Sequence, residues 1–272
     1  MKIKLLPAII AAAGFLSAPF ALSATYQSEL SAGYVDIDVD NSSADGYGVV
    51  LEGKYHFSPV NTANNPLAEA AFIEKSSNVY VQLGTAELKD AGQKIDFYER
   101  SIGIDFYIPN SIFYLGAGVS ESKVRSTPGL GVSSDWDSSW FVKAGVAPIT
   151  GLLVWSEFEE DVDISDQWNI NGKYVLPLSG EQALNLEASY EKSKLGFTDD
   201  TISMAADYYI DRNLSVGGGF VNTSYAANVS NNSETDYFVR ARNFFTDKAS
   251  LELSYVDGEV ENSLLIGGTI RF

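Results

Sequence analysis

Beyond residue 25 the chain carries no apolar run long enough to cross a membrane as a helix, yet apolar side chains recur at every second position in one segment after another. Leu184, Leu186, Ala188 and Tyr190 fall on one face of their segment, with Asn185, Glu187, Ser189 and Glu191 on the other. Ile202, Met204, Ala206, Tyr208 and Ile210 oppose Ser203, Asp207 and Tyr209, and Tyr47, Val49, Leu51, Tyr55 and Phe57 oppose Gly48, Glu52, Lys54 and His56. Successive side chains of a strand point to opposite sides, so this period commits the chain to strands with one apolar and one polar face. The pattern predicts strands near 26–37, 45–57, 77–88, 94–108, 111–124, 136–147, 151–160, 167–177, 182–194, 200–210, 213–225, 235–245, 249–257 and 262–272. That makes about fourteen, within a range of 12–16.

The connections alternate in kind. Short turns such as Pro109-Asn110, Leu178-Ser-Gly180 and Asp211-Arg-Asn213 follow even-numbered strands. Longer polar segments, among them Asp38 to Ala44, Lys89 to Gln93, Ser126 to Asp135 and Ala226 to Ser233, follow odd-numbered ones. Short turns on one rim and long loops on the other are the mark of an up-and-down barrel with both termini on the short-turn side. Ser58 to Ser76 breaks the pattern: it is far longer than the other short-turn connections. Either it carries structure of its own, such as a helical turn, or the strand phase slips there.

A soluble β-sandwich would also alternate, but two features favour a membrane barrel. Strands of about 10–14 residues suit a tilted span of the hydrocarbon core, whereas soluble strands average about 5–6. Aromatic residues gather towards strand ends on the apolar face (Tyr26, Tyr34, Phe57, Trp168, Tyr208, Phe220, Phe245, Tyr255), as interfacial girdles require. A sheet that spans lipid must also close, because each unpaired backbone N–H or C=O there costs several kcal/mol.

The first two dozen residues read differently. Met1-Lys-Ile-Lys4 is a basic start, Leu5 to Phe20 a short and broken apolar stretch, and Ala21-Leu-Ser-Ala24 a small-residue end. This predicts a secretory signal peptide over 1–24 and a single barrel domain over 25–272. Without Lys2 and Lys4 the exported chain has 16 basic and 36 acidic residues, a net of −20. Such a charge argues against nucleic acid as a partner. The absence of Cys and the single His remove thiolate chemistry, Cys-based metal sites and multi-His metal centres, and no cofactor is expected.

Alternation also sorts the polar residues. Glu29, Glu52, Lys54, Gln82, Lys143, Glu157, Asn171, Lys173, Asn185, Glu187, Asp207, Arg240, Arg242 and Glu252 fall on the inward face, six acids against five bases. With the signs so nearly balanced, these are expected to line the pore and to brace one another as ion pairs. A weak cation preference would then come from the acidic rim. Glu159-Glu-Asp-Val-Asp-Ile-Ser-Asp166 offers hard oxygen ligands but lacks the order of a calcium loop, and is read as a solvated loop. Gly217-Gly-Gly219 sits within a strand, follows no βα pattern, and is read as relief of crowding in the wall. Enzymatic barrels use a histidine, and His56 is the one candidate; it has no serine motif beside it in sequence, so an enzyme is not expected.

The last strand is the most specific signal. Leu264, Ile266, Gly268, Ile270 and the terminal Phe272 share one face of Ser-Leu-Leu-Ile-Gly-Gly-Thr-Ile-Arg-Phe. It resembles the C-terminal signal of outer-membrane barrels read by the barrel-assembly machinery. Together with the leader, Pro66-Leu-Ala-Glu-Ala-Ala-Phe72 after the second strand, and the closing Ile-Arg-Phe, the chain resembles the putative general bacterial porins of Gram-negative outer membranes. The resemblance implies passive diffusion of small hydrophilic solutes or ions, with outer-membrane lipid and lipopolysaccharide as surroundings and a monomer or homo-trimer as the assembly. A non-conducting structural or surface-receptor barrel is the alternative.

Overall fold

The computed structural model describes residues 25–40, 42–127, 133–161, 167–192, 198–225 and 233–272. The segment read as a leader and parts of five polar connections lie outside them. Fourteen strands follow in order: β1 (Thr25–Val39), β2 (Asp45–Asn61), β3 (Asn78–Asp90), β4 (Gln93–Tyr107), β5 (Phe113–Ser126), β6 (Asp137–Val146), β7 (Leu152–Asp161), β8 (Gln167–Pro177), β9 (Ala183–Lys192), β10 (Thr198–Tyr209), β11 (Leu214–Tyr225), β12 (Ser233–Thr246), β13 (Ala249–Asp257) and β14 (Glu261–Arg271). A single-turn helix, α1 (Ala70–Ile73), lies between β2 and β3 behind a 3-10 turn over Leu67–Glu69. No described helix is long and apolar enough to cross a membrane.

Every strand pairs antiparallel with its sequence neighbours, and β14 returns to pair with β1 from Glu29↔Arg271 to Val39↔Glu261, which closes the barrel. The final residue completes the seam, since Gln27 and Ser28 donate their N–H groups to the carbonyl of Phe272 at 2.7 and 3.2 Å. Closure leaves no edge whose backbone groups would face lipid unpaired. The outer wall carries the apolar set, with Leu51, Leu83, Ile102, Val119 and Trp140 exposed on successive strands.

Two local expectations are corrected. The β3–β4 connection is not a long loop: Asp90 pairs with Gln93, and Ala91 and Gly92 both take positive φ (47° and 81°), which makes a two-residue hairpin turn. Tyr26 is not a girdle residue. The β1–β2 register shifts between Tyr26↔Val60 and Ser28↔Tyr55, and this bulge turns Tyr26 into the interior, where it is 2% exposed. One residue of phase moves a side chain to the other face of a sheet. Ile270 lies in register with Leu30 and Ala249 but is only 5% exposed, unlike its same-face neighbours Leu264 and Ile266.

Candidate functional site in the barrel lumen

Residues 62–77 do not hang from the rim as a turn. They fold back into the barrel. Pro66 (φ −51°, ψ 129°) holds the chain extended, and Glu69 then donates its N–H to the Pro66 carbonyl at 2.9 Å to start the 3-10 turn. Ala68, Ala70 and Ala71 suit a short helix and are small enough to pass close to the wall. Lys75 ends the helix with φ 51°, while Lys75 and Ser76 donate N–H groups to Phe72 and Ala71 at 3.0 and 2.9 Å. A left-handed cap of this kind usually carries Gly. Here Lys75 occupies it, and its Nζ donates to the Ala147 carbonyl at 2.7 Å on the far wall.

Leu67 and Ala70 are fully buried. Ala70 and Ala71 pack against Tyr26 and Val60, while Phe72 packs on both Tyr114–Ala147–Leu153 and Val175–Ala183–Tyr209. The segment thus reaches from β1 and β2 on one side to the β5–β10 arc on the other, as a plug across the lumen. The outer ends of its backbone are tied as well: Leu67 donates its N–H to Arg212 O at 2.8 Å, and Arg212 Nη2 donates to Thr62 O at 2.5 Å.

Two charged systems fasten the plug. On the β8–β12 side, buried Glu69 accepts a hydrogen bond from the Tyr209 hydroxyl at 2.7 Å and meets Lys173 Nζ at 2.8 Å. Lys173 also donates to Glu187 at 3.0 Å, and Arg240 joins Glu187 at 3.1 Å to Asp207 at 2.5 Å. Asn185 donates to both Glu187 and Asp207 at 2.9 Å, so the network is continuous from the plug to β12.

On the other side, the two oxygens of Glu29 divide their work. One lies 2.8 Å from His56 Nε2 and the other accepts from Arg271 Nε at 2.8 Å. Arg271 Nη1 donates to the Leu67 carbonyl at 2.7 Å, and His56 Nδ1 lies 2.9 Å from Ser76 Oγ. The start and the end of the plug are therefore held through a single carboxylate. Arg271 lies 4.4 Å from the centre of the Tyr26 ring and 4.6 Å from that of Phe244, and Tyr26 meets His56 edge-on at 5.5 Å.

Above the plug is a chamber of about 490 Å³, with Ala68, Glu69, Phe72 and Ser76 in its lining. Of the residues sorted inward by alternation, Glu29, Glu52, Lys54, Gln82, Lys173, Arg242 and Glu252 line the same chamber. Each base has an acid beside it: Lys54 and Glu52 are 3.2 Å apart, Arg242 donates to Glu252 at 2.5 Å, and Lys143 lies 3.3 Å from Asp105 and 3.6 Å from Glu157. Buried charges are tolerated when paired in this way. Asn171 is apart from these pairs and donates to Asn169 at 2.5 Å.

Sequence reasoning missed Asp105, Arg271 and Glu69. The first two are charges on the inward phase of β4 and β14. The role of Glu69 could not be read, because nothing local tells which way a connector folds. His56 does have a serine beside it after all, brought from the end of the plug. The order Ser76–His56–Glu29–Arg271 joins the plug to β2, β1 and β14 as a clamp, with His56 almost wholly enclosed.

A family model described as "Putative general bacterial porin" matches residues 2–143 and 145–272. Among solved structures, the Acinetobacter baumannii outer membrane protein Omp33 is 21% identical, with a TM-score of 0.65 over 92% of this chain and 99% of that one. A Pseudomonas aeruginosa FadL homologue is 10% identical, with a TM-score of 0.60 over 91% of this chain and 90% of that one. At these identities the likeness is one of fold. No curated protein matches the chain.

Proposed function

The chain belongs to the putative general bacterial porin family and is an outer-membrane β-barrel, and from that premise we propose that it is a non-enzymatic channel for passive diffusion of small hydrophilic solutes, narrowed at its periplasmic end by residues 62–77. The observation that carries this reading is the charged chamber of about 490 Å³ that sits on the plug. A lumen lined by paired charges favours water and polar solutes over apolar ones. The inward-facing Glu52, Lys54, Lys143, Glu157, Lys173, Glu187, Asp207, Arg240, Arg242 and Glu252 line the path and hold its shape.

A weak cation preference follows from the level above. By the unbroken alternation of β4, β7 and β9, Glu99, Glu159 and Glu191 face inward in the loop-side half. Glu159 accepts a hydrogen bond from Ser120 at 3.0 Å rather than facing a base. Excess negative charge at a pore entrance concentrates cations.

The second reading, a non-conducting structural or receptor barrel, is favoured by the reach of the plug across the lumen. Liposome swelling decides between them. Uptake of small sugars or amino acids into vesicles bearing the folded barrel supports the channel; impermeability of those vesicles, even with residues 62–76 removed, supports the structural barrel. Phe272 and Ile270 are proposed as the signal read during assembly, and deleting Phe272 should lower the amount of barrel in the membrane.

A further inference from the structure

The plug does not meet the wall in the same way on every side. Towards β1 and β2 it is sealed by apolar contact, with Ala70 and Ala71 on Tyr26 and Val60. Towards β5–β7 the seal is Phe72 on Tyr114, Ala147 and Leu153. Between β12 and β1 the guanidinium of Arg271 lies against the rings of both Phe244 and Tyr26. Side chains packed this closely leave water no passage.

Towards β9–β12 the packing gives way to a polar cavity of about 100 Å³ between the plug and the wall. Ala68, Glu69, Lys173 and Arg242 border both this cavity and the chamber above the plug, so the two adjoin. Farther down, the cavity reaches Ser215, the second residue of β11, which stands in register with Tyr209 and Arg242. The turn Asp211-Arg-Asn213 is two residues away along the chain. The cavity therefore runs past the plug, from the chamber towards the short-turn rim, as a seam.

The chemistry of the seam suits water. Asn185 borders it and is 1% exposed. Its Nδ2 donates to Glu187 and Asp207, while its Oδ1 has no hydrogen-bond partner among the described residues. A buried amide oxygen that no protein donor reaches is satisfied by water, and 100 Å³ has room for about three waters at about 30 Å³ each. The charges around the seam cancel, with Glu69, Glu187 and Asp207 against Lys173, Arg240 and Arg242. A neutral polar passage of this size admits water and small inorganic ions of either sign and is too small for a sugar.

We propose that water and small inorganic ions cross the seated plug through this β9–β12 seam, whereas larger solutes pass only when the plug is displaced. Ser215 and Asn185 set what the seam admits, and the Glu69–Lys173 pair stands where it opens into the chamber. This rests on the reading of the barrel as a channel.

The test is single-channel recording of the folded barrel in potassium nitrate, with silver ion as the probe. The chain has no cysteine, so S215C gives silver a single thiol, which binds it as the thiolate and releases its proton to water. Silver should remove most of the S215C conductance. It should leave unchanged both the wild type and V60C, whose thiol lies on a sealed side of the plug. A conducting S215C barrel that ignores silver would overturn the seam and leave the channel standing, and so would equal block of V60C. Silence of the folded wild type would contradict the channel itself, and the seam with it. Should S215C not fold, S215T decides: its added methyl group should lower conductance, and wild-type conductance from folded S215T would overturn the proposal.

Discussion

The carboxylate of Glu69, on the plug, lies 2.8 Å from the ammonium of Lys173, on the wall strand β8, and the two join a segment of chain to the charge network of the lumen. Glu69 is the acid through which residues 62–77 enter that network, and the remaining pairs lie within the barrel wall.

Replacing Glu69 by Gln should therefore loosen the plug. Removing one partner of a buried ion pair costs about 3–5 kcal/mol, because the other charge is left unpaired. Lys173 retains Glu187 at 3.0 Å, so the loss should fall at the lower end of that range. In planar bilayers E69Q should show larger or more frequent conductance steps than the wild type; identical traces would mean that Glu69 does not hold the plug.

Arg271→Lys tests the opposite clamp. Lysine keeps the charge but cannot serve Glu29 and the Leu67 carbonyl together in the planar geometry of a guanidinium. Losing one charged hydrogen bond should lower stability by about 1.5–3 kcal/mol. The temperature at which the folded gel band converts to the unfolded one should drop. If it does not, the Arg271 contacts contribute nothing to holding the barrel closed around its plug.

The phase of each strand makes its own prediction. Ile102 faces lipid and its neighbour Ser101 faces the lumen. Ile102→Arg should cost about 2–4 kcal/mol of folding free energy near the middle of the bilayer, and Ser101→Arg far less. Urea titrations of folding into lipid vesicles separate the two. Similar midpoints would place the lipid boundary elsewhere.

Gly217 is required by close approach. A Cβ there would lie 2.2 Å from Asp207 Oδ1 and 2.4 Å from the Ala206 carbonyl. Gly217→Ala should displace Asp207 from Arg240 and cost about 1–3 kcal/mol as overpacking. Thermal unfolding that matches the wild type would show that the wall yields there without cost.

Much of the barrel could be read from the chain because alternation is a local property. The bounds 167–177 and 249–257 agree residue for residue with β8 and β13, and the inward phase assigned to Lys173, Glu187, Asp207 and Arg240 is the phase in which they meet. Tyr26 escaped because the β1–β2 register shift falls between it and Ser28 and changes its phase, and no residue near Tyr26 announces that. The β3–β4 turn escaped because Ala91 takes a conformation usually given to Gly or Asn. The plug was visible as an over-long connector with helical composition. Its inward direction depends on Glu69 finding Lys173 and Lys75 finding the Ala147 carbonyl, partners far away in sequence that exist only once the barrel has closed.

The most direct test of a plugged diffusion channel is single-channel recording of the folded barrel beside a variant in which a short Gly-Ser linker replaces residues 62–76. The wild type should give small or infrequent steps, and the variant stable ohmic steps of larger size. Equal, large and steady conductance in both would contradict the plug, and silence from both folded proteins would contradict the channel.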